Sequence, residues 1–256
     1  MKLLALDSSA LVASAAVLTE KELLAEYTVN YKKTHSETLL PMIDEILQML
    51  GLRPADLDAV ALAGGPGSFT GLRIGASTAK GLSLALDIPL IPVPTVDALA
   101  YNLCGSSHTL VVPMMDARRS QVYTGIYAFR GEDMEPLLPQ CAISLQELMD
   151  HLNGKQVSAK SLPEETGDWP VVFLGDGVPA YRQQLVEGMK VPYRFAPVHL
   201  NRQRAASVGA LALRYAAAGK TVPAEDFVPE YLRLSQAERE RLEKQAGTAT
   251  EGDPTC

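Results

Sequence analysis

The chain has 256 residues, 47% of them apolar and 21% charged, with 23 Lys and Arg against 30 Asp and Glu. This composition excludes a disordered polymer and leaves material for one large domain or two modest ones. A net charge of −7 argues against a stand-alone nucleic-acid binder, because phosphate affinity comes from Lys and Arg.

Lys2 precedes Leu3, Leu4, Ala5 and Leu6 like the start of a signal peptide. Asp7 interrupts that run well short of the roughly 7–15 apolar residues of a secretory core. No stretch approaches the ~20 apolar residues of a membrane span. The three cysteines, Cys104, Cys141 and Cys256, have neither an even count nor tight spacing, which fits a reducing compartment. The expectation is a soluble cytoplasmic protein.

Residues 2–6 read as a short buried strand that delivers Asp7 at its end. Residues 11–18 and 22–29 flank the polar turn Thr19-Glu20-Lys21 as a hairpin does. A helix over about 36–50 follows, with Thr34-x-x-Glu37 as a capping box and Gly51 as its C-cap. Pro41 must sit in or near its first turn or kink it. Residues 59–63 form a buried strand that runs into Gly64-Gly65-Pro66-Gly67-Ser68-Phe69-Thr70-Gly71 and a second helix to about Leu86. A strand at 88–93 and a helix at 95–103 complete this half.

A comparable order then restarts. A buried strand at 109–115 delivers Asp116. Strands at 121–129 and 137–143 lead into a helix capped by Ser144-x-x-Glu147. A strand at 171–174 ends at Gly175-Asp176-Gly177, and helices follow at about 179–188 and 204–218. The repeat implies an N-terminal lobe (1–106), a C-terminal lobe (107–218), a closing segment (219–234) and a polar tail (235–256). Each lobe is a mixed sheet covered by helices. The tail carries five acids, three bases and a single large aliphatic residue, Leu242, too little apolar surface to order itself unless it docks on something.

The glycine-rich run at 64–75 can be read as a phosphate cradle at a helix N-terminus or as a tight strand-to-helix turn plugged by Phe69. It lacks both the P-loop and the dinucleotide fingerprint. The helix after it carries small residues at Gly71, Gly75, Ala76, Ala79 and Ser83, which would let another backbone approach closely. The 36–50 helix is apolar over more than half its circumference. Leu39, Ile43, Ile46 and Leu50 form one stripe, widened by Leu40, Leu47, Met42 and Met49, where a surface helix needs an apolar face of only ~100°. We take Leu39, Leu40, Ile43, Ile46, Leu47, Leu50, Gly71, Gly75 and Ala79 as a helix-to-helix partner interface. The competing reading is burial between layers of the same chain.

Asp7 and Asp116, each at a strand end and facing one cleft, would suit Mg²⁺–nucleotide binding. The commoner role of such an Asp is to cap a turn. His35 lacks a second metal ligand one turn on, because position 39 is Leu. Ser68 and Thr70 have no Gly-x-Ser-x-Gly elbow around them. Arg118-Arg119 and Lys32-Lys33 are small basic pairs: solvated surface, or a weak RNA or partner contact.

At these residues the chain resembles a known family. LALDSS at 4–9, HSETLLPMI at 35–43, GGPGSFTGLRIG at 64–75, DARRSQVY at 116–123, GDG at 175–177 and Tyr231-Leu232-Arg233 resemble the YeaZ-type TsaB family of bacterial tRNA threonylcarbamoyladenosine biosynthesis proteins. The resemblance runs from residue 1 to about 233. It implies an actin-like (ASKHA, ribonuclease H-like) α/β fold of two related lobes and a scaffold role without catalytic residues. It also implies pairing with a catalytic homologue, TsaD, joined by the ATPase TsaE. Together these transfer threonylcarbamoyl to the adenosine next to the anticodon of ANN-decoding tRNAs. Pairing would use the two N-lobe helices, and a homodimer would form on that surface when the partner is missing.

The catalytic relatives hold metal with a His-x-x-x-His pair, so His35 followed by Leu39 implies no metal site. They carry glycine near Asp7 where this chain has Ser8-Ser9. The expectation is therefore a vestigial nucleotide or phosphate site at Asp7, Ser8, Ser9, Gly65, Gly67, Ser68, Asp116, Gly175 and Gly177. No cofactor would be tightly bound, and ATP or ADP with Mg²⁺ would belong to the complex. The alternatives are an independent ATPase or kinase using Asp7 and Asp116, and a peptidase using Ser68 or His35.

Overall fold

The computed structural model describes residues 1–31, 34–154, 156–157, 160–161 and 169–233. Lys32-Lys33 and the 235–256 tail lie outside them. The N-terminal apolar run forms β1 (Leu3–Asp7), and the predicted hairpin forms β2 (Ala13–Leu18) and β3 (Leu23–Val29). Then come α1 (His35–Leu50), β4 (Ala59–Ala63), α2 (Phe69–Leu86), β5 (Leu90–Val93) and α3 (Thr95–Tyr101). The second half holds β6 (Leu110–Asp116), β7 (Gln121–Arg130), β8 (Asp133–Ser144) and α4 (Leu145–Gly154). A small ribbon, β9 (Gln156–Val157) and β10 (Lys160–Ser161), precedes β11 (Val171–Leu174), α5 (Gly177–Gly188), β12 (Tyr193–Phe195) and α6 (Ala205–Ala217).

The strands form two five-stranded sheets, β3-β2-β1-β4-β5 and β8-β7-β6-β11-β12. In each, the first three strands pair antiparallel and the last two join parallel. The two sheets are thus the same ribonuclease H-like unit used twice. The sequence repeat missed β12, whose three residues are too short to show a pattern; it pairs parallel with β11 where β5 pairs with β4.

Helices cover both sheets on their outer faces. α1 and α2 bury Leu39, Ile43, Ile46 and Leu47 with Leu4, Leu6, Val60 and Leu62. α4 and α5 bury Leu148, Leu152, Val178 and Leu185 with Val112, Phe173 and Ile126. Between the sheets lie α3 and α6, which also touch each other. α3 packs on the second sheet, and α6, the last helix among the described residues, packs on the first. The central core accordingly mixes Leu3, Leu18 and Ile91 with Val111, Phe129, Val172, Leu99 and Leu211.

Two details of α1 differ from expectation. Thr34 occupies the N-cap position, but its hydroxyl makes no cap bond. Pro41 lies in the second turn, exposed, and the helix continues through it; its missing N–H is the loss a solvent-facing position tolerates best. Gly51 closes the helix in the left-handed region (φ 64°), as read. Ser144 likewise caps α4, its hydroxyl accepting the Glu147 N–H at 3.1 Å.

The closing segment returns across the molecule. Val222 adds one antiparallel bridge to Leu90 at the edge of the first sheet. The Lys80 ammonium donates to the carbonyls of Glu225 and Phe227, and the Glu230 N–H donates to Gly64. Arg233 then reaches the second lobe, where its guanidinium donates to the Ala117 carbonyl. Among the described residues no helix is long and apolar enough to cross a membrane.

Candidate functional site

The parallel strands of both sheets aim their carboxyl ends at one interlobe cleft, the place where open α/β sheets bind ligands. Its cavity of about 670 Å³ is lined from the first lobe by Ser9–Val12, Asn30, His35 and Pro66–Phe69. The second lobe supplies Met115–Arg118, Tyr123, Asp176, Pro179 and Arg202, and the closing segment supplies Tyr231–Arg233. That volume is within the usual range of small-molecule sites.

Of the nine residues read as a vestigial phosphate site, Ser9, Gly67, Ser68 and Asp116 line the cavity. Asp7, Ser8, Gly65, Gly175 and Gly177 are buried behind its wall. Asp7 is 1% exposed, and one of its oxygens accepts both the N–H and the hydroxyl of Ser9, at 2.9 and 2.6 Å. Burial pushes its carboxyl up to about 6, against the pull of those two bonds and of His35.

The Ser8-Ser9 turn is clamped onto α2. The Ser8 hydroxyl donates to the Gly71 carbonyl at 2.9 Å, and the Ser9 carbonyl accepts the Ser68 N–H at 2.6 Å. A methyl group at Gly67 would collide with the Ser9 carbonyl, one at Gly71 with the Ser8 carbonyl, and one at Gly75 with the Ser8 hydroxyl. The glycine-rich block is therefore a close-packed joint between turn and helix.

The second lobe is more open. Asp116 accepts the Tyr181 hydroxyl and the Arg118 N–H, both at 2.8 Å, and pairs with the Arg118 guanidinium at 3.4 Å. Asp176, its carboxyl raised by burial, accepts from Gln203 at 3.4 Å. Between β6 and β7, Arg118, Arg119 and Ser120 all have positive φ, at 65°, 55° and 56°. Each such non-glycine residue costs roughly 1–2 kcal/mol.

His35 opens α1. Its Nε2 faces the Ala10 carbonyl at 2.7 Å and so donates to it, while Nδ1 is buried without a partner among the described residues. Leu39, one turn on, is 1% exposed. His35 and Phe69 form a shared wall, because both also line a second cavity of about 520 Å³ between α1 and α2. Leu39, Leu40, Arg73, Ile74, Ser77 and Thr78 are among the other residues that line that groove. Arg73 stacks its guanidinium over Phe69 at 3.9 Å, and Tyr231 packs on the same ring at 4.9 Å.

Seven of the nine residues read as a partner interface are buried within the chain's own fold. Leu39, Ile43, Ile46 and Leu47 are 1–5% exposed and belong to the chain's own core. Gly71, Gly75 and Ala79 are buried too, spent on Ser8 and the first sheet. Of the nine, Leu40 is 57% exposed and Leu50 half-buried. The outward residues of α2 are Thr70, Arg73, Ser77, Gly81, Leu84 and Ala85. Sequence reasoning also missed Arg202 as part of the cleft, and gave no role to Phe69 beyond a plug.

Two ribonuclease H-like units closed around a cleft define an actin-like protein. A family model described as TsaD, tRNA N6-adenosine threonylcarbamoyltransferase, matches residues 22–241. The tRNA threonylcarbamoyladenosine biosynthesis protein TsaB of Bacillus subtilis is 33% identical over 250 residues, 96% of this chain and 100% of that one. TsaB of Escherichia coli is 31% identical over 221 residues, 78% of this chain and 94% of its own. A crystal structure from Pseudomonas aeruginosa, described as an uncharacterized protein with similarity to peptidase YEAZ, superposes with a TM-score of 0.72 at 28% identity. It covers 91% of this chain and 99% of that one. The chain belongs to the TsaB family.

Proposed function

We propose that this chain is the non-catalytic subunit of a tRNA threonylcarbamoyltransferase complex. In this reading it docks a TsaD-type catalytic subunit, with a TsaE-type ATPase, for transfer of threonylcarbamoyl to the adenosine beside the anticodon of ANN-decoding tRNAs. The observation that carries the reading is the full-length match to a relative named for that pathway. The site supports it. His35 is held by a backbone carbonyl, Asp7 is closed off behind Ser9, and the glycine-rich loop is filled by the Ser8-Ser9 turn. Nucleotide and Mg²⁺ are then the concern of the partner subunits, and the isolated chain holds no tightly bound cofactor.

The docking face we propose is the α1–α2 groove, walled by Leu40, Ile74 and Ser77. When the partner is missing, two copies of this chain pair through the same face. Fully burying a Leu is worth about 1.5–3 kcal/mol, and Leu40 has 57% of its surface left to bury. Roughly 1–2 kcal/mol is therefore at stake, a loss of about 5- to 30-fold in affinity. Leu40→Glu combined with Ser77→Arg should weaken capture of the TsaD-type partner by at least that factor while leaving the unfolding midpoint unchanged. Normal capture by that variant would overturn the docking face. Binding of Mg-ATP to the lone chain with turnover would favour the independent ATPase instead.

A further inference from the structure

We propose that the β6–β7 turn at the mouth of the cleft is an RNA contact, with Arg118 and Arg119 gripping phosphates of a bound tRNA. The inference rests on the pathway proposed above. It starts from the backbone. Three successive non-glycine residues, Arg118 to Ser120, hold positive φ where Gly or Asn would be cheaper. The turn is nevertheless fixed from several sides. Asp116 accepts the Arg118 N–H, the Gln121 N–H donates to the Arg118 carbonyl at 3.1 Å, and Arg233 holds the Ala117 carbonyl from beneath. Strain that the surroundings hold in place points to a use for the side chains it presents.

Those side chains are arginines turned to water: Arg118 keeps 86% of its side chain exposed, and Arg119 is exposed beside it. Arg202 and Arg233 line the cavity behind them. With Arg119, four cations meet the two carboxylates that line it, Asp116 and Asp176, on a chain whose total charge is −7. Positive charge is thus gathered here against the trend of the whole molecule. Every one of the four is arginine, whose planar fork matches phosphate oxygens. Tyr231, packed on Phe69 and 37% exposed, lines the same cleft, and aromatic rings are what unstacked RNA bases stack on. Arginine forks beside an aromatic face favour RNA over an acidic protein.

The test is equilibrium binding of an end-labelled, unmodified ANN-decoding tRNA transcript across a salt series, to the chain alone and to the chain assembled with its TsaD-type partner. Arg118→Ala with Arg119→Ala should raise Kd at least tenfold at low salt. Losing two phosphate contacts should also flatten the plot of log Kd against log salt by about 1.5. An unchanged Kd and slope would overturn the proposal. Arg119→Gly should raise the unfolding midpoint, because glycine accepts the positive φ, and still weaken tRNA binding. A lower midpoint would mean that the arginine serves the fold, and would also overturn it. Loss of partner capture by the double variant with tRNA binding intact would assign the turn to a protein interface, refuting the RNA contact. If the wild-type chain captures no TsaD-type partner, the proposed function fails, and binding to the lone chain still decides this inference.

Discussion

One methyl group, placed at two positions of α2, separates packing from helix propensity. Gly71 and Gly81 both lie in the helix, neither with positive φ, so alanine is conformationally allowed at each. Propensity alone favours Ala over Gly by about 1 kcal/mol in a helix interior. At Gly81 a Cβ would meet nothing within 4 Å, so Gly81→Ala should realise that gain. At Gly71 the Cβ would fall on the carbonyl oxygen of Ser8. That oxygen cannot swing aside, because the Ser8 hydroxyl is bonded to Gly71 and the Ser9 carbonyl to Ser68. Overpacking of this kind costs about 1–3 kcal/mol. For a chain of this size each kcal/mol moves the midpoint by about 2–4 °C. Gly81→Ala should therefore raise the thermal midpoint by roughly 2–4 °C, and Gly71→Ala, its overpacking set against the same propensity gain, lower it by up to roughly 8 °C, followed by far-ultraviolet circular dichroism and repeated in urea. If Gly71→Ala stabilised the chain as much as Gly81→Ala does, the Ser8-Ser9 turn would not be seated on α2.

Glu26 on β3 caps α6 from the other lobe, accepting the Ala206 N–H at 3.0 Å and pairing with Arg204. Glu26→Ala should cost about 2 kcal/mol through the lost cap and the stranded guanidinium, read as a lower urea midpoint; an unchanged midpoint would refute the coupling. Asp7 carries a linked proton. Its carboxyl titrates near 6 in the folded chain against 3.8 in the unfolded one, so the native state holds more protons in between. Its contribution is full below about pH 4 and lost as pH rises through 6, at most about 3 kcal/mol. Asp7→Asn, which keeps an acceptor for Ser9, should flatten that decline, with stability at neutral pH above the wild type's. A pH profile parallel to the wild type's would exclude the buried proton.

Much of the scaffold was legible because its signals are local. The apolar run before Asp7, the Thr19–Lys21 turn and the Gly51 cap each occupy a few neighbouring residues, and each formed as read. The apolar excess of α1 was equally visible, but a count of apolar residues does not say which layer covers them. Five of its residues, Leu39, Met42, Ile43, Ile46 and Leu47, went to the core beneath, and Leu40 and Met49 stayed exposed. The stripe of small residues carried the same ambiguity: glycine admits a close neighbour without naming it, and the neighbour was Ser8. The cleft arginines were illegible for another reason. Arg118, Arg202 and Arg233 are brought together by two sheets and a returning segment, so no window of sequence contains them.

The crossing of α3 and α6 sets the order in which the chain can be completed. One face of the first sheet, with Leu3, Ala5 and Leu18, waits for residues 205–217 to cover it. As the chain leaves the ribosome, some two hundred residues emerge before that helix does. Through that interval the first lobe carries a bare apolar face, the kind of surface that chaperones bind and that drives aggregation. Severing the chain at the lobe boundary would leave neither half with its own complete core, so the two repeats must reach the native state as one cooperative unit.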